Sequence, residues 1–267
     1  MPLVLKRPNM RCRKNERRTR RTTEQMCELV EIFDVRYIGG DGAHPSGQIN
    51  VYDGKRGQII YRRHKPSTCS AQNGNKVVKL PLTGPYRAIS SNGCVTIELD
   101  LHHGCQYRES SYMTEILIDI YDDSIEYDLA VMKEVNTCSC PHSPRAEVKY
   151  AILSDAVETV VEMKLRQRGC YYVKGKIVAL SHLGEVVLFE SNDENKLIEP
   201  TQGLTAIPLS RSVLAVALKF LLTIKVHLHI CSSCEIVEYV QWEPNLDSER
   251  QPVNQDGVVE VEITCSN

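Results

Sequence analysis

The chain has 267 residues, 42% hydrophobic and 25% charged, an ordinary globular composition with length enough to bury a substantial core. Nine of the 32 Lys/Arg and one of the 34 Asp/Glu fall in residues 1–22, so the remainder carries a net charge of −10. Such an acidic body repels a phosphate backbone, which argues against a nucleic-acid-binding domain and leaves only weak affinity to the basic N-terminal arm.

Residues 1–26 read as that arm, disordered because like charge is dense and apolar periodicity is lacking. RCRKNERRTRR fits a solvated tail, a nuclear localisation signal, an Arg-rich mitochondrial presequence, or a charge-driven contact with RNA or anionic membrane. No apolar segment of secretory type follows the first charges, so the expected location is intracellular, in nucleus or cytoplasm, with the mitochondrion as alternative. In that reducing setting the eleven cysteines are expected to be mostly free thiols.

From residue 27 to 267 the dominant period is two, the mark of half-buried strands. A helical turn is expected over Thr22–Glu31, followed by a strand through Val30, Ile32, Phe33, Val35 and Tyr37. Further strands are expected at 48–52, 58–62, 76–80, 95–101, 115–121, 124–133, 148–153 and 159–166. The series continues at 171–180, 185–190, 215–230, 235–242 and 258–264, with Ser212–Lys219 open between helix and strand. GGDGAHPSG, DGKRG, LTGP and SHLG supply turn chemistry between them, and GKIVALSHLGEVVLFES reads as a hairpin turning at Ser181–Gly184. Residues 136–146, around TCSCPHSPR, are a candidate crossover between two sub-domains. The longest apolar stretch, Ser212–Ile230, is broken by Lys219, Lys225, His227 and His229 and reads as core, not as a membrane span. Many short strands with even turn spacing predict an all-β fold, mainly an antiparallel sandwich or barrel, with little helix.

Three segments carry a family resemblance: VEIFDVRYIGGDG, GQINVYDGKRGQIIYRR and LTGPYRAISSNGCVTIELDL (Leu82–Leu101). They resemble a plant domain of unknown function abundant in grasses. That domain occurs alone and as the C-terminal partner of a jasmonate-induced ribosome-inactivating protein. The resemblance spans roughly residues 28–267 and is looser after Leu101. It implies a role in defence or stress, and it names no reaction. The residues of the third segment read as architecture: Leu82–Pro85 a turn, Asn92-Gly93 a tight turn, and Val95 the start of a strand.

Candidate metal ligands are Cys138, Cys140 and His142 in one group, and Cys231 and Cys234 in another, with His227 and His229 just before the second. Zinc takes four thiolates or imidazoles, and a Cys-x-x-Cys turn offers two, but the usual second pair is missing. On a strand His227 and His229 would share the solvent face, with the cysteines as ordinary turn or core thiols. Asp119, Asp122, Asp123 and Glu126 form an acidic group that reads as a solvated turn, with calcium as the alternative. Tyr37-Ile-Gly-Gly-Asp-Gly reads as a connection with positive-φ glycines rather than a phosphate loop.

The family association raises rRNA N-glycosidase chemistry, which needs a carboxylate and an Arg presented together on a helix. The nearest match is Glu162 and Arg166, spaced by four within a strand-like alternation, and the sole Trp, Trp242, also lies in a strand pattern. The sequence therefore assigns no catalytic residue and no cofactor. Its leading reading is a non-catalytic protein-interaction domain with an unidentified protein partner. The alternatives are a ribosome-inactivating toxin or its accessory part, and a metal- or small-ligand-binding β-barrel.

Overall fold

The computed structural model describes residues 27–39, 42–54, 56–64, 76–102, 113–137, 144–165, 171–192, 197–198, 205–230, 234–244, 249–252 and 259–266. Eighteen strands run through them. They are β1 (Cys27–Ile38), β2 (Ser46–Tyr52), β3 (Gly57–Arg63), β4 (Val77–Lys79), β5 (Ile89–Ser90) and β6 (Val95–His102). Next come β7 (Thr114–Ile118), β8 (Ala130–Asn136), β9 (Arg145–Leu165), β10 (Tyr171–Ser181), β11 (Gly184–Ser191) and β12 (Leu197–Ile198). The last are β13 (Thr205–Ala206), β14 (Val213–Ala217), β15 (Leu222–Ile230), β16 (Cys234–Trp242), β17 (Glu249–Pro252) and β18 (Val259–Ser266). Among the described residues there is no helix, and every strand pair is antiparallel. The sheets are open, so of the two expected all-β architectures the chain forms sandwiches.

The centre of the fold is β9. Its first half pairs with β1 and β8, and its second half with β14, β13 and β18, building a nine-stranded sheet. A four-stranded sheet in the order β3-β2-β6-β7 closes one core against Val30, Ile32, Val35 and Tyr37 of β1 and Val148, Tyr150 and Ile152 of β9. A five-stranded sheet, β11-β10-β15-β16 with β12 beside β10, closes the other against Leu29 and Phe33 of β1 and the second half of β9. Both faces of β1 are therefore buried from Leu29 to Val35, so that Glu31 and Asp34 are buried along with the apolar residues.

A straight strand would hold Ala151 and Glu158, the β9 partners of Glu31 and Ala215, about 23 Å apart. Yet the Glu31 carboxylate accepts a hydrogen bond from the Ala215 amide at 2.6 Å. So β9 must curve, and the pairing of β1 slips at the point of curvature, between Cys27 opposite Ala156 and Leu29 opposite Leu153. The curve brings β14 over β1, where Arg211 is clamped. Its guanidinium donates to the Ile32 carbonyl at 2.5 Å, to the Val213 carbonyl at 3.2 Å, and to the Glu31 carboxylate. Burial pushes the Glu31 carboxyl upward, opposed by the Arg211 charge and by both donors.

Four expected elements differ. Expected strands 148–153 and 159–166 are one strand: β1 bulges past Ser154 and Asp155 but pairs again at Ala156, where β14 also begins to pair, so the extended chain is not interrupted. Expected strand 215–230 is two, β14 and β15: the first is buried on both faces, the second on alternate residues, and a turn at Leu218–Phe220 moves the chain between sheets. The strand expected at 124–133 begins only at Ala130. Asp122 Oδ1 accepts from the Ser124 amide and hydroxyl, and Asp128 adopts φ 58°, so the chain turns twice first. The helical turn over Thr22–Glu31 is strand from Cys27 on, paired with β9, and residues 22–26 lie outside the described residues, as does the arm. The expected hairpin at Ser181–Gly184 is present, with those two residues paired.

Arg211→Met strands a buried carboxyl and is expected to cost about 3–5 kcal/mol in urea unfolding, whereas replacing Glu31 and Arg211 together by apolar residues restores most of that loss.

Candidate functional site

Much of the third resembling segment, Leu82–Leu101, is engaged in holding the fold. Arg87 forks onto the buried Asp53 carboxylate at 2.5 and 2.8 Å, and Asp53 also accepts from the Ser90 amide at 3.0 Å. Gln58 takes the Tyr86 and Arg87 amides at 2.9 and 3.1 Å, and the Glu158 carboxylate takes the Ala88 amide at 2.6 Å. These contacts pin the chain between β4 and β6 onto both sheets. Asp53→Ala removes the carboxylate that pairs with the Arg87 fork and accepts the Ser90 and Arg56 amides, and a loss of about 3 kcal/mol is expected in chemical denaturation.

An apolar recess opens where β1, β14 and the β10–β11 hairpin meet, about 410 Å³ including its mouth. Phe33, Leu153, Val186 and Leu214 line it, and at its rim the His182 and Phe220 rings lie 3.5 Å apart. Burial lowers the His182 pKa, against the pull of the Asp128 carboxylate. Lys219 donates to Asp128 at 2.7 Å and the Ser154 hydroxyl does so at 2.8 Å, fastening the turn after β14 to the start of β8.

The other feature is the outer face of the five-stranded sheet. In β15 the even-numbered residues Leu222, Ile224, Val226, Leu228 and Ile230 are inside, and in β16 Ile236, Val240 and Trp242 are inside. The odd-numbered residues of both strands therefore share the outside: Lys225 opposite Tyr239, His227 opposite Val237, and His229 opposite Glu235. Val237 and Tyr239 are 50% and 57% exposed, high for large apolar side chains. Lys225 Nζ lies 5.4 Å from the Tyr239 ring centre, a cation–π contact. On β10, Lys174 and Lys176 stand opposite His229 and His227. Their strand fits closely because position 175 is glycine at φ 131°: a Cβ there would collide with the His227 carbonyl oxygen. At the hairpin end Glu235 Oε1 lies 3.1 Å from His227 Nε2 and 3.7 Å from His229 Nε2. The outcome is a rigid face with an apolar–aromatic centre, a mostly basic flank and one carboxylate between two imidazoles, inside an acidic body.

The sequence-derived candidates fall as follows. Cys138, Cys140, His142 and Cys231 lie outside the described residues, and Cys234 is described only as the first residue of β16, paired with Ile230. Cys27, Cys94 and Cys265 are reduced thiols, and burial pushes that of Cys265 upward. Glu162 lies on a strand, is half exposed, and faces Lys164 at 2.8 Å. Arg166 is outside the described residues, and the helix that an N-glycosidase pairing at this spacing requires is replaced by strand. Trp242 is buried in the core of the second sandwich. Of the acidic group, Asp119 and Asp122 accept amides within their own turns, and the Asp122 pKa is lowered by the Ser124 amide and hydroxyl. The residue that sequence reasoning missed is Glu235. Its signal is register, because a hairpin turn after Ile230 places it opposite His229.

A family model described as "Domain of unknown function (DUF6598)" matches residues 29–264. No match is found among curated proteins. Among solved structures, the chain aligns with a multidomain structure of Extended-Synaptotagmin 2 at 7% identity and a TM-score of 0.29, covering 90% of this chain and 57% of that one. Against human GIVD cytosolic phospholipase A2 the values are 12% and 0.28, with 90% and 30% covered. The chain thus spans less than two thirds of either structure, and at these scores the likeness carries no argument about fold or activity. No helix among the described residues is long and apolar enough to cross a membrane.

Because its neighbours hold the backbone of the outer face in place, Tyr239→Ser is expected to cost no more than about 1 kcal/mol, measured by thermal unfolding.

Proposed function

The chain belongs to the DUF6598 family, and on that premise we propose that it is a non-catalytic domain that engages a partner protein through the outer face of β15 and β16. The observation that carries this reading is the half-exposed pair Val237 and Tyr239 on a paired, core-anchored hairpin. Aromatic anchors on rigid elements lose little entropy on binding and dominate protein interfaces. Lys225, Lys174 and Lys176 beside them favour an acidic partner surface. The domain acts inside the cell, in nucleus or cytoplasm, with the basic arm of residues 1–26 setting location or adding weak nucleic-acid affinity. A defence or stress pathway is the setting that the family resemblance implies.

The test places a photo-crosslinking amino acid at Val237 of the full chain, and at Tyr86, 74% exposed elsewhere, as control. One protein captured at position 237 but not at 86 is expected, with Tyr239→Ala weakening its affinity about 30-fold, the scale of a 2 kcal/mol anchor. Capture at both positions alike, or a specific abasic site in rRNA of intact ribosomes treated with the chain, would overturn the reading.

A further inference from the structure

We propose that His227, His229 and Glu235 form a divalent transition-metal site, with zinc as the ion their chemistry fits. Two imidazoles and one carboxylate are a ligand set that zinc takes when a fourth position stays open for water or another side chain. Ligands 2.0–2.1 Å from a tetrahedral zinc stand about 3.3 Å from one another. The Glu235 oxygen lies 3.1 Å from the His227 nitrogen and 3.7 Å from that of His229, on either side of that value. The ligand atoms of all three residues lie within 4.8 Å of one another. The two rings, their centroids 5.3 Å apart and both about half exposed, have room to close the remaining gap by rotation.

The backbone beneath does not need to move. β15 and β16 pair without a register shift from Leu222–Trp242 to Ile230–Cys234, and the inward residues between the ligands, Leu228 and Ile236, are in the core. Alternation puts His227 and His229 on one face two residues apart, and pairing sets Glu235 opposite the second, so three ligands converge from two strands. Ligands carried on such strands keep their spacing better than ligands on a loop. Lys174 and Lys176, opposite the two histidines on β10, repel a cation and hold the affinity below that of a closed four-ligand site. The proposal does not depend on the partner-binding reading, although an ion here would offer its open position to whatever docks on the face.

The experiment is calorimetric titration of zinc chloride into the reduced full chain, in a non-coordinating buffer, for wild type, His229→Ala and Glu235→Gln. All three positions are exposed, and the metal-free unfolding temperatures of the variants, expected to match wild type, verify that they are folded. Wild type is expected to show one site that each variant weakens about tenfold or more, since loss of even an outer-shell partner costs 10–100-fold. Cobalt substituted for zinc is expected to give a tetrahedral visible spectrum without thiolate charge-transfer bands. Zinc binding equal in all three proteins, or cobalt bands of thiolate type that survive His229→Ala, would assign the ion to cysteines and overturn the proposal. Absence of any zinc heat in wild type would overturn it as well.

Discussion

The architecture depends on the buried contact between Glu31 and Arg211, because it holds β14 against β1 after β9 has curved. An unpaired charge in that position would carry a desolvation penalty of several kcal/mol. Here every strong donor and acceptor finds a partner: the guanidinium on two carbonyls and a carboxylate, the carboxylate on an amide and the guanidinium. The pair spans 180 residues of sequence, so it forms only when both sandwiches are in place. One strand serves two cores, and one ion pair fixes the angle at which it does so.

That arrangement decides which surfaces are available for function. Both faces of β1 are covered, one by each of the smaller sheets, which takes β1 out of contention as a binding surface. In the third resembling segment, Arg87 and the amides of Tyr86, Arg87, Ala88 and Ser90 are engaged by Asp53, Gln58 and Glu158. Among the described residues, the far side of the β15–β16 hairpin holds Val237 and Tyr239 outward beside His227, His229 and Glu235. Its inner residues are anchored in the second core, so its outer residues are preorganised with no loop to order. Preorganisation of this kind lowers the entropy cost of binding a partner or an ion.

Period-two alternation identified most strands because a half-buried strand writes its orientation into every second residue. Val95, Ile97, Leu99 and Leu101 of β6 are all buried, as their spacing predicts. Alternation failed where a strand is covered on both faces. β14 is buried throughout, so nothing in Val213–Ala217 distinguishes it from the start of a longer strand. It failed again at the curve of β9, where two partially exposed residues look like a break between strands. Residues 119–129 misled for a different reason, since the Asp122 and Asp128 contacts that turn the chain are side-chain hydrogen bonds with no apolar signature.

By itself the sequence determined that residues 27–267 are all-β and that His227 and His229 share one face. These follow from local chemistry: alternation, turn residues and charge. Only the tertiary structure decided that Glu235 stands between those histidines, that Glu31 meets Arg211, and that Val237 and Tyr239 face outward together. Each of these depends on register or on the curve of a long strand, and both are set by pairing between residues far apart in the chain, which no local window contains.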